Sequence, residues 1–213
     1  MRDIPVFSTG FGVASLTLSQ IPYTQQAYIR VQASCEPELF LRECYDFCRA
    51  AGGEKVYATG HPVCQKFPEH TAIIEMRAAI DAVGDTDAAL FPVTQDTLEQ
   101  WRTIYNEKIR NVPNGAWKSL LDGQSLLQAG DGYFVHRNGE LLGIGKASGD
   151  RIHWVASVKQ GAGADIVRAL CHALNGETVH LEVASSNVKA VKLYERLGFI
   201  GACVLSVWHS VIY

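Results

Sequence analysis

The run IHWVASVKQGAGADIVRAL, residues 152–170, leaves this chain few choices. An apolar stretch of strand length leads into Gly161 and Gly163, and an amphipathic stretch begins at once. That order predicts a strand, a tight turn and the start of a helix. A helix start presents unpaired N–H groups and the positive end of the helix dipole, so it suits a phosphate.

Which phosphate is decided by what surrounds the turn. A P-loop needs GxxxxGK followed by Ser or Thr, and no such run occurs. A dinucleotide site fits better at first, because Glu182 follows Gly163 by 19 residues on the next apolar run. The third small position of that fingerprint is Ile166, however. Only 31 residues follow Glu182, too few for the remaining strand–helix–strand units. A third reading is an acyl-coenzyme A pyrophosphate, which the turn's N–H groups and the positive helix end also suit.

The rest of the composition excludes other classes. The 213 residues are 47% hydrophobic and 19% charged, with a net charge of −3, so a sizeable core forms and no basic stripe for nucleic acid exists. No run reaches the roughly 18 apolar residues of a membrane span. Asp3 and Pro5 interrupt any secretory leader. The expectation is a soluble, cytoplasmic protein, monomer or homodimer, with no membrane or nucleic-acid partner. Cys35, Cys44, Cys48, Cys64, Cys171 and Cys203 form no CxxC pair. They read as reduced thiols, several of them buried, and no metal is expected.

Two regions are expected. Residues 1–86 form an α/β region with strands in 10–34, a helix over 37–53 and further strands. Leu39, Phe40, Cys44, Phe47 and Cys48 are expected on the apolar face of that helix. The small polar run 81–89 reads as a linker. Residues 87–213 form the second region. A helix over 94–111 carries the stripe Leu98, Trp101, Ile104, Tyr105 and Ile109. A short helix within 113–123 follows. A three-stranded meander turns at Asn138-Gly139 and at Ser148-Gly149-Asp150. Helix, strand, helix and closing strands complete it. The order describes an α+β fold, a mixed and mostly antiparallel sheet flanked by helices. The first region also holds strand–helix–strand, which admits a degenerate copy of the second.

LEVASSNVKAVKLYERLGF, residues 181–199, decides the identity of the turn. Together with 158–170 it resembles the GCN5-related N-acetyltransferase (GNAT) superfamily. Asn187, Ala190, Tyr194, Gly198 and Phe199 stand at the spacing of that family's Asn-x-x-Ala-x-x-x-Tyr-x-x-x-Gly-Phe motif. Gln160 and Gly163 occupy the first and fourth places of its [R/Q]xxGx[G/A] motif, while Asp165 replaces the small sixth residue. The resemblance covers roughly 88–213.

The resemblance implies an acyl-coenzyme A N-acyltransferase with acetyl-coenzyme A as cosubstrate. The backbone of Ala156, Ser157 and Val158 would pair with pantetheine. The amides of Gln160, Gly161, Ala162, Gly163, Ala164 and Asp165 would hold the pyrophosphate, and Asn187 would face the pantetheine arm. Tyr194 would stand beside the thioester sulfur as general acid. Glu182 is the expected base, because strand alternation sets it with His180 opposite Val179, Leu181 and Val183. His180 is the reserve base. The expected acceptor is a primary amine of a small molecule or peptide, with one wall built by 109–119. The competing expectation, motivated by the atypical first half and by Asp165, is a catalytically silent acyl-coenzyme A-binding or protein-interaction module.

Overall fold

The computed structural model describes residues 2–110 and 112–213. In chain order the first elements are β1 (Ile4–Thr9), β2 (Gly12–Thr17), α1 (Ile21–Thr24), β3 (Gln26–Ser34), α2 (Pro37–Ala50), β4 (Lys55–Thr59) and β5 (Glu69–Ala79). Next come α3 (Ile80–Val83), β6 (Ala89–Pro92), α4 (Leu98–Ile109), α5 (Leu120–Ala129), β7 (Gly132–Arg137), β8 (Glu140–Ser148) and β9 (Arg151–Ser157). The chain finishes with α6 (Gly163–Cys171), β10 (Thr178–Ala184), α7 (Val188–Arg196) and β11 (Ile200–Val211). Two compact units result, one of residues 1–73 with Val204–Tyr213, the other Ile74–Cys203. Both divisions fall inside strands, β5 and β11. No helix among the described residues is long and apolar enough to cross a membrane.

The first unit runs β1-β2-β3-β4-β11, with β3 and β4 parallel. Its parallel ladder is continuous, with five Cα pairs from Gln26–Lys55 to Arg30–Thr59. Pro37 sits in the first turn of α2, where its missing N–H costs no hydrogen bond. The buried face of α2 is Phe40, Leu41, Cys44 and Cys48. Leu39 and Phe47, expected with them, are exposed, and Phe47 instead packs on the Phe7 ring at 5.0 Å. Burial pushes the Cys44 and Cys48 thiols up to about 12, so they behave as small apolar groups. The C-terminal strand closes this unit. Val211 is buried in its core, and the Thr59 hydroxyl donates to the Val207 carbonyl at 2.6 Å.

The second unit runs β5-β10-β9-β8-β7-β6. Asn138 and Gly139 both take positive φ, 51° and 79°, and make the predicted hairpin of β7 and β8. Helices α6 and α7 cover one sheet face through Ile166, Leu170, Leu181, Ile152 and Phe199. Burial of each such side chain is worth about 1.5–3 kcal/mol. Trp101 and Tyr105 from α4 cover the other face with Leu126, Phe134 and Ile144. The stretch 81–89 is no open linker. Val83 and Ala88 are buried, and Arg168 Nε donates to the Val83 carbonyl at 3.1 Å. The helix expected within 113–123 begins only at Leu120, where Ser119 and Asp122 form a reciprocal capping box. The expected end of the helix over 94–111, Asn111, lies outside the described residues. The closing segment is one long strand, β11.

Candidate functional site

The site of interest begins where two strands part. Parallel strands β9 and β10 pair at Arg151–His180 and Ile152–Leu181, and there the ladder stops. Both strands continue, to Ser157 and to Ala184. A bulge between Lys146 and Ala147 sets Lys146 against Trp154 and Ala147 against Ile152, so His153 is extra on β9. Such a bulge bends its strand and increases the local twist.

The parted segment of β9 shows which backbone groups face the gap. Val158 N–H donates to the Leu142 carbonyl of β8 at 2.9 Å. Alternation therefore turns the backbone groups of Ala156 and Val158 towards β8 and those of Val155 and Ser157 towards the gap. Of this stretch, Ala156 and Val158 face β8, and Val155 and Ser157 face the gap.

The turn follows. Gln160 and Gly161 are exposed, and Gly161 has φ +84°, in the left-handed region that favours glycine. Ala162 precedes α6, and the first helical hydrogen bond runs from Ile166 N to Ala162 O at 3.1 Å. The amides of Gly163, Ala164 and Asp165 thus precede the ladder and remain for an anion. A Cβ on Gly163 would stand 2.8 Å from Leu193 Cδ2 on α7, so the helix start is packed tightly against that element.

Asp165 is accounted for by partners. Arg137 Nη1 lies 3.1 Å from Asp165 Oδ2, and Thr86 Oγ1 donates to Oδ1 at 3.2 Å. Arg168 stands further off at 3.9 Å. The carboxylate occupies the first helical turn, where the dipole favours acids, and it is paired with guanidinium groups.

Asn187 caps α7, its side chain accepting from Ala190 N at 3.3 Å. Tyr194 lies on the inner face of α7, 8% exposed, with its ring 5.7 Å from Phe199. Burial pushes its phenol up to about 12, so it stays protonated at neutral pH. Glu182 lies one residue past the last β9–β10 pair and is half-exposed. Arg151 holds it at 3.2 Å and Glu75 of β5 at 2.7 Å. His180 Nδ1 stands 3.9 Å from the same Glu75. Glu75 was not foreseen from the sequence. Its only signal is an acid inside the apolar run AIIEMRAAI.

On the α4 side, a cavity of about 220 Å³ lies against the parted segment of β9, lined by Tyr105, Lys108, Ile109, Val112 and Trp154 among others. The loop after α4 is pinned from below. Asn106 accepts from Lys118 N at 2.8 Å and donates to its carbonyl at 3.0 Å. Tyr105 donates to the Ala116 carbonyl at 2.9 Å. Of the stretch 109–119, Ile109 and Val112 line this cavity, and Asn111 lies outside the described residues.

No family model matches the chain, and no curated protein matches it. Solved structures do. A conserved protein of unknown function from Staphylococcus epidermidis is 13% identical, with TM-score 0.62 over 96% of this chain and 91% of its own. An acetyltransferase from the GNAT family of Colwellia psychrerythraea is 15% identical, with TM-score 0.54 over 97% of this chain and 84% of its own. A tandem GNAT protein from the clavulanic acid biosynthesis pathway is 11% identical, with TM-score 0.50 over 97% and 81%. The sequence resemblance reached only from about residue 88, but the structural likeness spans both units. The chain has the fold of GNAT acyltransferases, a mixed sheet flanked by helices, over nearly its whole length.

Proposed function

We propose that the protein transfers an acetyl group from acetyl-coenzyme A to a primary amine of a small molecule or peptide. The observation that carries this reading is the parting of β9 and β10 after two pairs, directly before the turn at Gly161 and Gly163. An extended amide chain fits between the backbone groups of Val155 and Ser157 and the opposite strand. A diphosphate fits the free amides of Gly163, Ala164 and Asp165, with Gln160, Gly161 and Ala162 shaping the approach and Asn187 near the arm. Acetyl-coenzyme A supplies the reactive thioester when bound.

The residues divide the proton work. Glu182, through water, takes the proton that the amine gives up as its nitrogen bonds to the thioester carbon. Tyr194 donates a hydrogen bond, then a proton, to the sulfur as the carbon–sulfur bond breaks. With a phenol near 12 and a thiol near about 8.5, full transfer is uphill until the bound cosubstrate alters the surroundings. Hydrogen bonding to the developing thiolate is the larger part of its role.

The first unit reads as a second copy of the same core without a cofactor site. Strands β1-β2-β3, helix α2 and parallel strand β4 repeat the order β7-β8-β9, α6, β10. The β3–β4 ladder stays closed through five pairs, and Glu36 and Glu38 stand at the start of its helix. One cosubstrate per chain follows.

Calorimetry with acetyl-coenzyme A tests the reading, together with thiol release across an amine panel. One site per chain and turnover are expected. Binding without turnover selects the silent acyl-coenzyme A-binding module. No binding at millimolar concentration removes both.

A further inference from the structure

We infer that the acceptor is a free α-amino acid with an apolar side chain, the side chain entering the cavity between α4 and β9 and the carboxylate meeting Lys108. This rests on the acetyl-transfer reading above and names the substrate class of that site.

The cavity argues for an apolar body with one negative charge. At about 220 Å³ it is smaller than the roughly 300–1,000 Å³ of sites for drug-sized ligands, and matches a single amino acid. Its walls are the rings of Tyr105 and Trp154 with Ile109 and Val112. The Tyr105 hydroxyl is committed to Ala116, so the ring is what it offers. Among the described residues no carboxylate lines the cavity, and its one charged group is Lys108, exposed and in no ion pair there. A polyamine or an amino sugar would find no counter-charge in such a place, whereas a carboxylate finds an ammonium.

The amine end is fixed by strand alternation. Ile152 and Leu181 point into the core under α6 and α7, so Glu182 points to the opposite face. Trp154 packs on Trp101 and Tyr105 on that same face, at 4.4 Å and 4.5 Å. Glu182 lies one residue past the last strand pair and Trp154 two. An α-ammonium directed at Glu182 therefore leaves its side chain towards Trp154.

The step balances. The α-ammonium loses one proton to water through Glu182, and the neutral nitrogen bonds to the acetyl carbon as the carbon–sulfur bond breaks. The second nitrogen proton leaves by the same route. The sulfur gains one from Tyr194, which water replaces, so one proton is released per turnover.

The test has a readout that needs no catalysis. N-acetyl-L-phenylalanine and its amide are titrated into the protein by calorimetry. L-leucine, L-phenylalanine, their amides and spermidine are compared for thiol release with acetyl-coenzyme A. The acid should bind about tenfold more tightly than the amide, as a charge-assisted contact predicts. Lys108→Ala, on an exposed side chain, should abolish that discrimination, and Val112→Trp should block the acid while acetyl-coenzyme A still binds. Equal binding of acid and amide, unaltered discrimination in Lys108→Ala, or preference for spermidine overturns the inference. Failure of the acetyl-transfer reading looks different: no acetyl-coenzyme A binding, and no thiol release with any amine.

Discussion

Arg137 Nη1 stands 3.1 Å from Asp165 Oδ2, joining the end of β7 to the first turn of α6. This pair offsets a carboxylate placed where the resembled motif has a small residue. Removing the arginine leaves the charge facing an incoming diphosphate, a repulsion of about 1 kcal/mol at close range in water. Arg137→Ala should therefore weaken acetyl-coenzyme A binding about five- to tenfold, and Asp165→Ala should leave it equal or tighter. A loss of affinity in Asp165→Ala, measured by calorimetry, would show that the carboxylate itself helps to bind.

Tyr194→Phe keeps the ring against Phe199 and removes only the hydroxyl. Turnover should fall about 10²–10⁴-fold, the usual contribution of a positioned general acid. Acetyl-coenzyme A affinity and thermal stability should hardly move. An unchanged rate takes Tyr194 out of the mechanism.

Buried thiols make the first unit sensitive to alkali. Cys44 and Cys48 are raised from 9.0 to about 12, because burial penalises the thiolate. In the unfolded chain they ionise near 9.0, so folded stability is full below that value and falls as pH rises towards 12. Thermal melts from pH 8 to 11 should show the decline. Thiol reagents at pH 8 should modify exposed Cys35 and Cys203 first and leave Cys44, Cys48, Cys64 and Cys171 protected. Rapid modification of all six thiols contradicts this burial.

The end of β11 completes the first unit. Val211 is 4% exposed, His209 Nδ1 meets the Phe67 carbonyl at 3.0 Å, and Val207 accepts from Thr59. Val211→Ala should cost about 1–3 kcal/mol by cavity formation. Deletion of 207–213 should expose amides of β4 to hydrogen exchange. Unaltered protection of Val56, Tyr57 and Ala58 in the deletion would contradict the pairing with β11.

Local requirements were legible in the residues. Gly161 needs a positive φ, Asn138-Gly139 makes its own hairpin, Asn187 caps its helix, and the strand 178–184 alternates as written. Each of these rests on neighbours a few positions away. Even so, the capping box of Ser119 and Asp122 starts its helix at Leu120, near the end of the stretch 113–123, and the strand Ile4–Thr9 lies before the run 10–34 in which strands are expected.

What only the tertiary structure decided depends on distant partners. Two similar strand–helix–strand segments, 26–59 and 151–184, each carry a bulge on the first strand, at Gln32 against β2 and at His153 against β8, yet their parallel ladders run to five pairs and to two. Arg151 reaches Glu75 across 76 positions, and Thr86 reaches Asp165 across 79. A sequence carries periodicity and turn chemistry along the chain, but it does not state which side chains of opposite charge will share one face. That is settled when packing brings the strands together, because an ion pair or an open gap depends on distance in space and not on separation along the chain.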